Sequence, residues 1–223
     1  MIFRLGIPDK GKYTHFSLAK YQKRWEDYFL EDNSIFGNNN VEAYIPPTSL
    51  RQLFAFHLLP DFAESSAINL AISSGLLSAA LNMDQTDQIA APATGKGTFT
   101  FEFKPFPEAP IKWQHNKGQV EIDAMFIGKR KGKEILFVVE AKSSLKFGSL
   151  AKYKLVYPIL AICRKIPNNI PIIPVYIRAL KVDGGLQFHI AECRLPDARE
   201  RLITISELEV ENARSLVLLG LNL

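Results

Sequence analysis

The stretch "EILFVVEAK" (134–142) constrains the fold of this chain more than any other. From Ile135 to Val139 every residue is strongly apolar. Successive side chains of a strand point to opposite faces, so an unbroken apolar run needs cover on both sides. The segment therefore reads as a central strand of a covered sheet. Glu140, Lys142 and Lys146 follow abruptly. A core strand that ends in a carboxylate and an ammonium needs a reason to carry them.

The flanking segments say what covers it. Residues 61–82, "DFAESSAINLAISSGLLSAALN", predict one helix with Asp61 as N-cap, Glu64 in the capping-box position and an Ile68/Ile72/Leu76/Leu77 stripe. The period then changes from 3.6 to 2. "GTFTFEFKPF" (97–106) alternates Phe99, Phe101 and Phe103 with polar residues. "GQVEIDAMFIG" (118–128) sets Val120, Ile122, Ala124 and Phe126 against Gln119, Glu121 and Asp123. "KRKGK" turns the chain into the 134–142 strand. Residues 148–165 predict a helix that Pro158 should kink or bound. Strands at 172–182 and 186–195 follow, joined by a "DGG" hairpin turn, and the tail "SELEVENARSLVLL" predicts a closing helix.

Before residue 61, helices are expected over 17–32 and 49–59, the second stopped near Pro60, with a loop at "NSIFGNNN" between them. Residues 1–60 read as an N-terminal helical extension or subdomain, and 61–223 as the main domain. The order helix, three antiparallel strands, helix, strand gives an α/β class with a mixed sheet and helices on both faces.

Composition narrows the function. The 223 residues carry a formal net charge of +4, which permits an anionic partner without demanding one. The two cysteines, Cys163 and Cys193, form no CxxC pair and are expected as small core residues in a reducing compartment. No signal-peptide h-region opens the chain, and apolar stretches break well before ~18 residues, so a cytoplasmic protein without a membrane span is expected. The histidines form no HExxH, and "GKG" at 95–97 is too short for a phosphate loop, so kinase, P-loop and Rossmann readings have no support.

Glu140 and Lys142 share a strand face, ~6.5–7 Å apart along it. A hairpin centred near Lys131 pairs residues whose numbers sum to roughly 262–264, which sets Asp123 opposite residues 139–141. Facing carboxylates repel unless a cation lies between them. Mg²⁺ suits such a pair, since it takes one or two carboxylates and a substrate phosphate. Lys142 would add a compact positive charge beside it, to orient or help deprotonate water and to offset transition-state charge.

These residues resemble the PD-(D/E)XK nuclease superfamily, which includes many type II restriction endonucleases. The signature places an Asp on the second core strand and Glu/Asp-x-Lys on the third. Here those are Asp123 in "VEIDAMF" and Glu140 and Lys142 in "VVEAK", over a resemblance covering residues 60–180. Ile122 stands where the motif's Pro would be. The resemblance implies a restriction-endonuclease-like core and a metal-dependent endonuclease of double-stranded DNA leaving 5′-phosphate and 3′-hydroxyl ends. Asp123 and Glu140 would hold Mg²⁺ (or Mn²⁺), and Glu64 would complete the site from the preceding helix. A palindromic target would imply a homodimer. The alternative is a DNA-binding or assembly subunit of the same fold that does not cut by itself.

Each residue has a plainer reading. Glu64 would serve a capping box, and Glu140–Lys142 a strand-end salt bridge contributing ~0–1 kcal/mol. Glu121, which shares a face with Asp123, could be the ligand that completes the metal site in place of Glu64, and Gln119 on that face could position water. Lys129, Arg130 and Lys131 at the hairpin tip, with Lys146 and Lys152 beyond the third strand, are candidate DNA-phosphate contacts.

Overall fold

The computed structural model describes residues 1–7, 13–19, 24–49, 51–59, 62–84 and 89–219. In chain order the elements are β1 (Ile2–Gly6), β2 (His15–Leu18), β3 (Phe29–Glu31), α1 (Asp32–Phe36), β4 (Val41–Tyr44), α2 (Glu64–Ser73), α3 (Leu76–Ala80), β5 (Ala93–Phe103), β6 (Trp113–Arg130), β7 (Lys133–Ser144), β8 (Ser149–Ala151), α4 (Tyr153–Ile162), β9 (Ile172–Val182), β10 (Gly185–Arg194) and β11 (Glu209–Leu219). A nine-stranded sheet runs β2-β1-β6-β7-β9-β10-β11-β4, with β5 also paired to β6, and β3 pairs with β8 separately.

The class is mixed α/β. β7 lies between β6, antiparallel to it, and β9, parallel to it. Its alternating faces meet different layers. Phe137, Val139 and Ala141 join the core under α2 and α3, with Ile68, Leu70 and Leu77. Leu136 and Val138 pack with Ile159 and Cys163 at α4. Both cysteines are buried and free. Burying these apolar side chains on both faces gains about 1.5–3 kcal/mol each, which is why five uninterrupted apolar residues are tolerated here.

Several local expectations fail. The helix expected over 17–32 is replaced by β2, a 3₁₀ turn at Trp25–Asp27, β3 and the start of α1. Tyr28 is buried at the end of the 3₁₀ turn and Leu30 on β3, so a turn and a short strand bury apolar residues that a helix face would also have buried. Lys20, Tyr21 and Lys23, placed on that helix, lie outside the described residues. The loop expected from residue 33 is in part α1, held by buried Phe36. Among the described residues of 49–59 the helical element is a 3₁₀ turn, Phe54–Leu58, and Leu50 and Pro60 lie outside the described residues. The 61–82 helix divides at Gly75, whose φ of +76° is left-handed and whose hydrogen faces the Tyr44 hydroxyl, where a Cβ would stand 3.1 Å away. Asp61 also lies outside the described residues, and Ala63 is the residue at the N-cap of α2.

Residues 149–151 of the expected 148–165 helix form β8, and α4 then runs through Pro158. The tail is β11, not a helix. It pairs with β10 antiparallel and β4 parallel, with a bulge at Glu192/Cys193. An open β10 edge would leave a row of unpaired amides, and the tail satisfies it. Residues 1–60 supply β1, β2 and β4 to the main sheet.

Candidate active site at the end of the central strand

The β6–β7 register sums to 263, from Arg130↔Lys133 to Ala124↔Val139. One step further the ladder gives way to a side chain: the Ala141 amide donates to Asp123 Oδ2 at 3.1 Å. Asp123 thereby stays on the face that carries Glu140, beneath α4. Glu140 is 3% exposed, and its Oε1 faces ammonium groups. Burial, and then the Asp123 charge, push the Glu140 carboxyl up to about 7, against the opposing pull of Lys142 and Lys154.

Two cations answer this carboxylate. Lys142 Nζ lies 3.0 Å from Glu140 Oε1 and Lys154 Nζ 3.8 Å from it. Lys142 also lies 3.0 Å from Glu64 Oε1, and donates to the Ala141 carbonyl at 2.7 Å. Burial pulls the Lys142 ammonium down, but Glu140 and Glu64 outweigh it and hold it above the ordinary lysine value. Glu64 opens α2 as its first residue and turns its carboxylate to Lys142, which is a different use from a capping box.

Asp123, Glu140, Lys142 and Glu64 are thus brought to one place, from two strands and a helix start. Lys154 joins them, a contact no sequence spacing announced. It sits in the first turn of α4, and only the crossover from β7 brings that turn over Glu140. Gln119 and Glu121 are exposed on the same face of β6 as Asp123.

The expected DNA contacts divide. Lys129, Lys131 and Lys146 are exposed. Arg130 instead makes a bidentate pair with Glu192 (2.9 and 2.8 Å) and donates to the Leu81 carbonyl. Lys152 is 6% exposed, donates to the Ser206 carbonyl at 3.3 Å, and is pulled down in pKa by burial. Neither is available as a surface cation. Asp84 accepts from the Lys131 and Gly132 amides at 2.9 and 2.8 Å and fixes the hairpin tip.

Among the described residues no group of three or more His, Cys, Asp and Glu side chains is arranged to hold a metal ion. Asp123 and Glu140 nevertheless make the two-carboxylate donor set that Mg²⁺ accepts when substrate and water complete its shell.

The chain belongs to a family described as a domain of unknown function, DUF6997, whose model matches residues 39–212. No curated protein matches it significantly, and no solved structure does. Among the described residues no helix is long and apolar enough to cross a membrane.

Proposed function

We propose that this member of the DUF6997 family is a Mg²⁺-dependent endodeoxyribonuclease with a restriction-endonuclease-like core, acting on double-stranded DNA as type II restriction enzymes do. One observation carries the reading. Glu140 is buried, faces Asp123 across adjacent strands, and is answered there by the ammonium groups of Lys142 and Lys154. Two carboxylates held together in a buried place favour a cation between them. The helix, three-strand, helix, strand order around it supports the same reading.

In this account Asp123 and Glu140 hold the metal, which when bound supplies Lewis acidity and neutralises phosphate charge. Lys142 stays protonated, because two carboxylates oppose its loss of a proton. Its role is therefore to hold and orient water and to offset charge that develops on the phosphate, not to act as the base. Glu64 keeps the Lys142 ammonium over the end of β7. A homodimer matched to a palindromic target belongs to the same proposal.

A second reading has its own observation. Lys142 already stands 3.0 Å from Glu140, as in a nuclease-fold DNA-binding or assembly subunit without independent catalysis. Incubating long unmethylated DNA with Mg²⁺, with EDTA, and with Lys142→Ala separates the two. Discrete Mg²⁺-dependent products absent from the variant are the expected result. Intact DNA with pure, folded protein would move the assignment to the second reading.

A further inference from the structure

A pocket of about 170 Å³ opens beside the carboxylates, between β1, β6 and α4. Its walls include Arg4, His115, Gln119, Glu121, Tyr153 and Lys154. It adjoins the candidate active site, because Lys154 also faces Glu140 at 3.8 Å and Glu121 lies two residues before Asp123 on the same strand face.

We propose that this pocket is a phosphate subsite, which holds a backbone phosphate of the nucleic acid next to the one presented to Asp123 and Glu140. The inference rests on the nuclease reading and extends it to the N-terminal strand. Arg4 Nε is buried with no hydrogen-bond partner. A guanidinium is the side chain whose fork of N–H donors matches phosphate oxygens bidentately. Lys154 is 43% exposed in its side chain and only loosely paired to Glu140, so its ammonium retains donors for a second anion.

Arg4 and Lys154 against Glu121 leave the pocket one net positive charge. His115 adds none, because burial lowers its pKa and keeps the ring neutral. Its Nδ1 lies 2.9 Å from the Arg4 carbonyl, and Tyr157 donates to that same carbonyl at 3.3 Å. These two side chains fix the strand that carries Arg4. The volume is well below the roughly 300–1,000 Å³ of pockets that enclose a whole drug-sized ligand. It suits one phosphate group of a longer chain.

The test is fluorescence anisotropy of a labelled duplex DNA of mixed sequence, titrated with the full chain in EDTA over a range of NaCl. Arg4→Gln should weaken binding by about 3- to 10-fold and lower the slope of log K against log salt by about 0.9, one phosphate contact. Glu121→Gln should tighten binding, an outcome that misfolding cannot imitate. Unlabelled inorganic phosphate should compete less well with the wild type than unlabelled duplex does. Unchanged affinity in both variants overturns the proposal, as does a weaker Arg4→Gln with an unaltered slope. If Arg4→Gln fails to fold, Glu121→Gln alone decides. Wild-type cleavage with unchanged variant binding would remove the subsite and leave the nuclease standing. Wild-type protein that neither binds nor cuts DNA would remove both.

Discussion

Two charged clusters sit side by side on one face of the sheet, and they are built differently. Parallel register sets Glu140 beside Tyr176 and Lys142 beside Arg178. In the second cluster Asp32, fully buried, accepts from the Tyr176 hydroxyl and the Gly148 amide, both at 2.7 Å, and pairs with Arg178 Nε at 2.7 Å. Arg178 also donates to Ser144 at 3.1 Å. Every strong acceptor there has a partner, and together they pin residues 144–148 to the N-terminal segment. Glu140 is met by ion pairs, at 3.0 and 3.8 Å, and has a carboxylate opposite. Asp32 is tied by a hydroxyl and a backbone amide as well as by an ion pair, and so holds the fold together. On the proposed reading, the repelled carboxylate at the strand end is the one that takes a metal ion.

The largest expected effect breaks the satisfied cluster. Asp32→Ala leaves Arg178 and Tyr176 buried without their acceptor, and should cost roughly 3–5 kcal/mol in urea unfolding. A loss below about 1 kcal/mol would erase the contrast between the clusters.

Glu140→Gln should do the opposite. The Glu140 carboxyl stands at about 7 in the fold against an ordinary 4.5. Its contribution to stability is therefore present below pH 4.5 and lost as pH rises through 7. The variant should gain up to about 3 kcal/mol at pH 8 and little at pH 4.5, while losing any metal-dependent activity.

His189 gives the satisfied region the reverse pH sign. It packs against Phe36 and Phe147 and is held near 4, below its ordinary 6.5, by burial and then by Arg178. That stability is present above pH 6.5 and lost as pH falls to about 4, by at most about 3 kcal/mol. His189→Gln should flatten this acid limb in thermal melts and leave the alkaline limb to Glu140.

The smallest effect is the control. Lys112 and Glu102 pair at 2.7 Å but are 58% and 41% exposed in their side chains, so Lys112→Ala should cost less than about 1 kcal/mol.

The candidate site was more legible in the sequence than the chain ends were. The run 135–139 fixed β7 as central because no other placement buries it. The tight turn at Lys131 set the register, so the neighbourhood of Asp123 and Glu140 followed from counting. Asp32 and Lys154 were not legible, because each reaches its partner through a crossover whose geometry no local pattern encodes. The tail failed for a related reason: "LEVENARSLVLL" suits either period, and the open edge of β10 decided between them. Residues 17–32 failed where Tyr28 in a turn and Leu30 on a strand are buried as well as a helix would bury them.

The most direct test of the contrast is calorimetric titration of Mn²⁺ into wild-type protein and Glu140→Gln at pH 7.5, with Asp123→Asn in parallel. The expected result is a saturable isotherm in the wild type that both substitutions abolish, while the substituted proteins melt as cooperatively as the parent. Identical isotherms in all three proteins would mean that Glu140 and Asp123 hold no metal. A flat wild-type trace would mean that the lysine ammonium groups alone answer these carboxylates, and that the site's function is not metal-dependent cleavage.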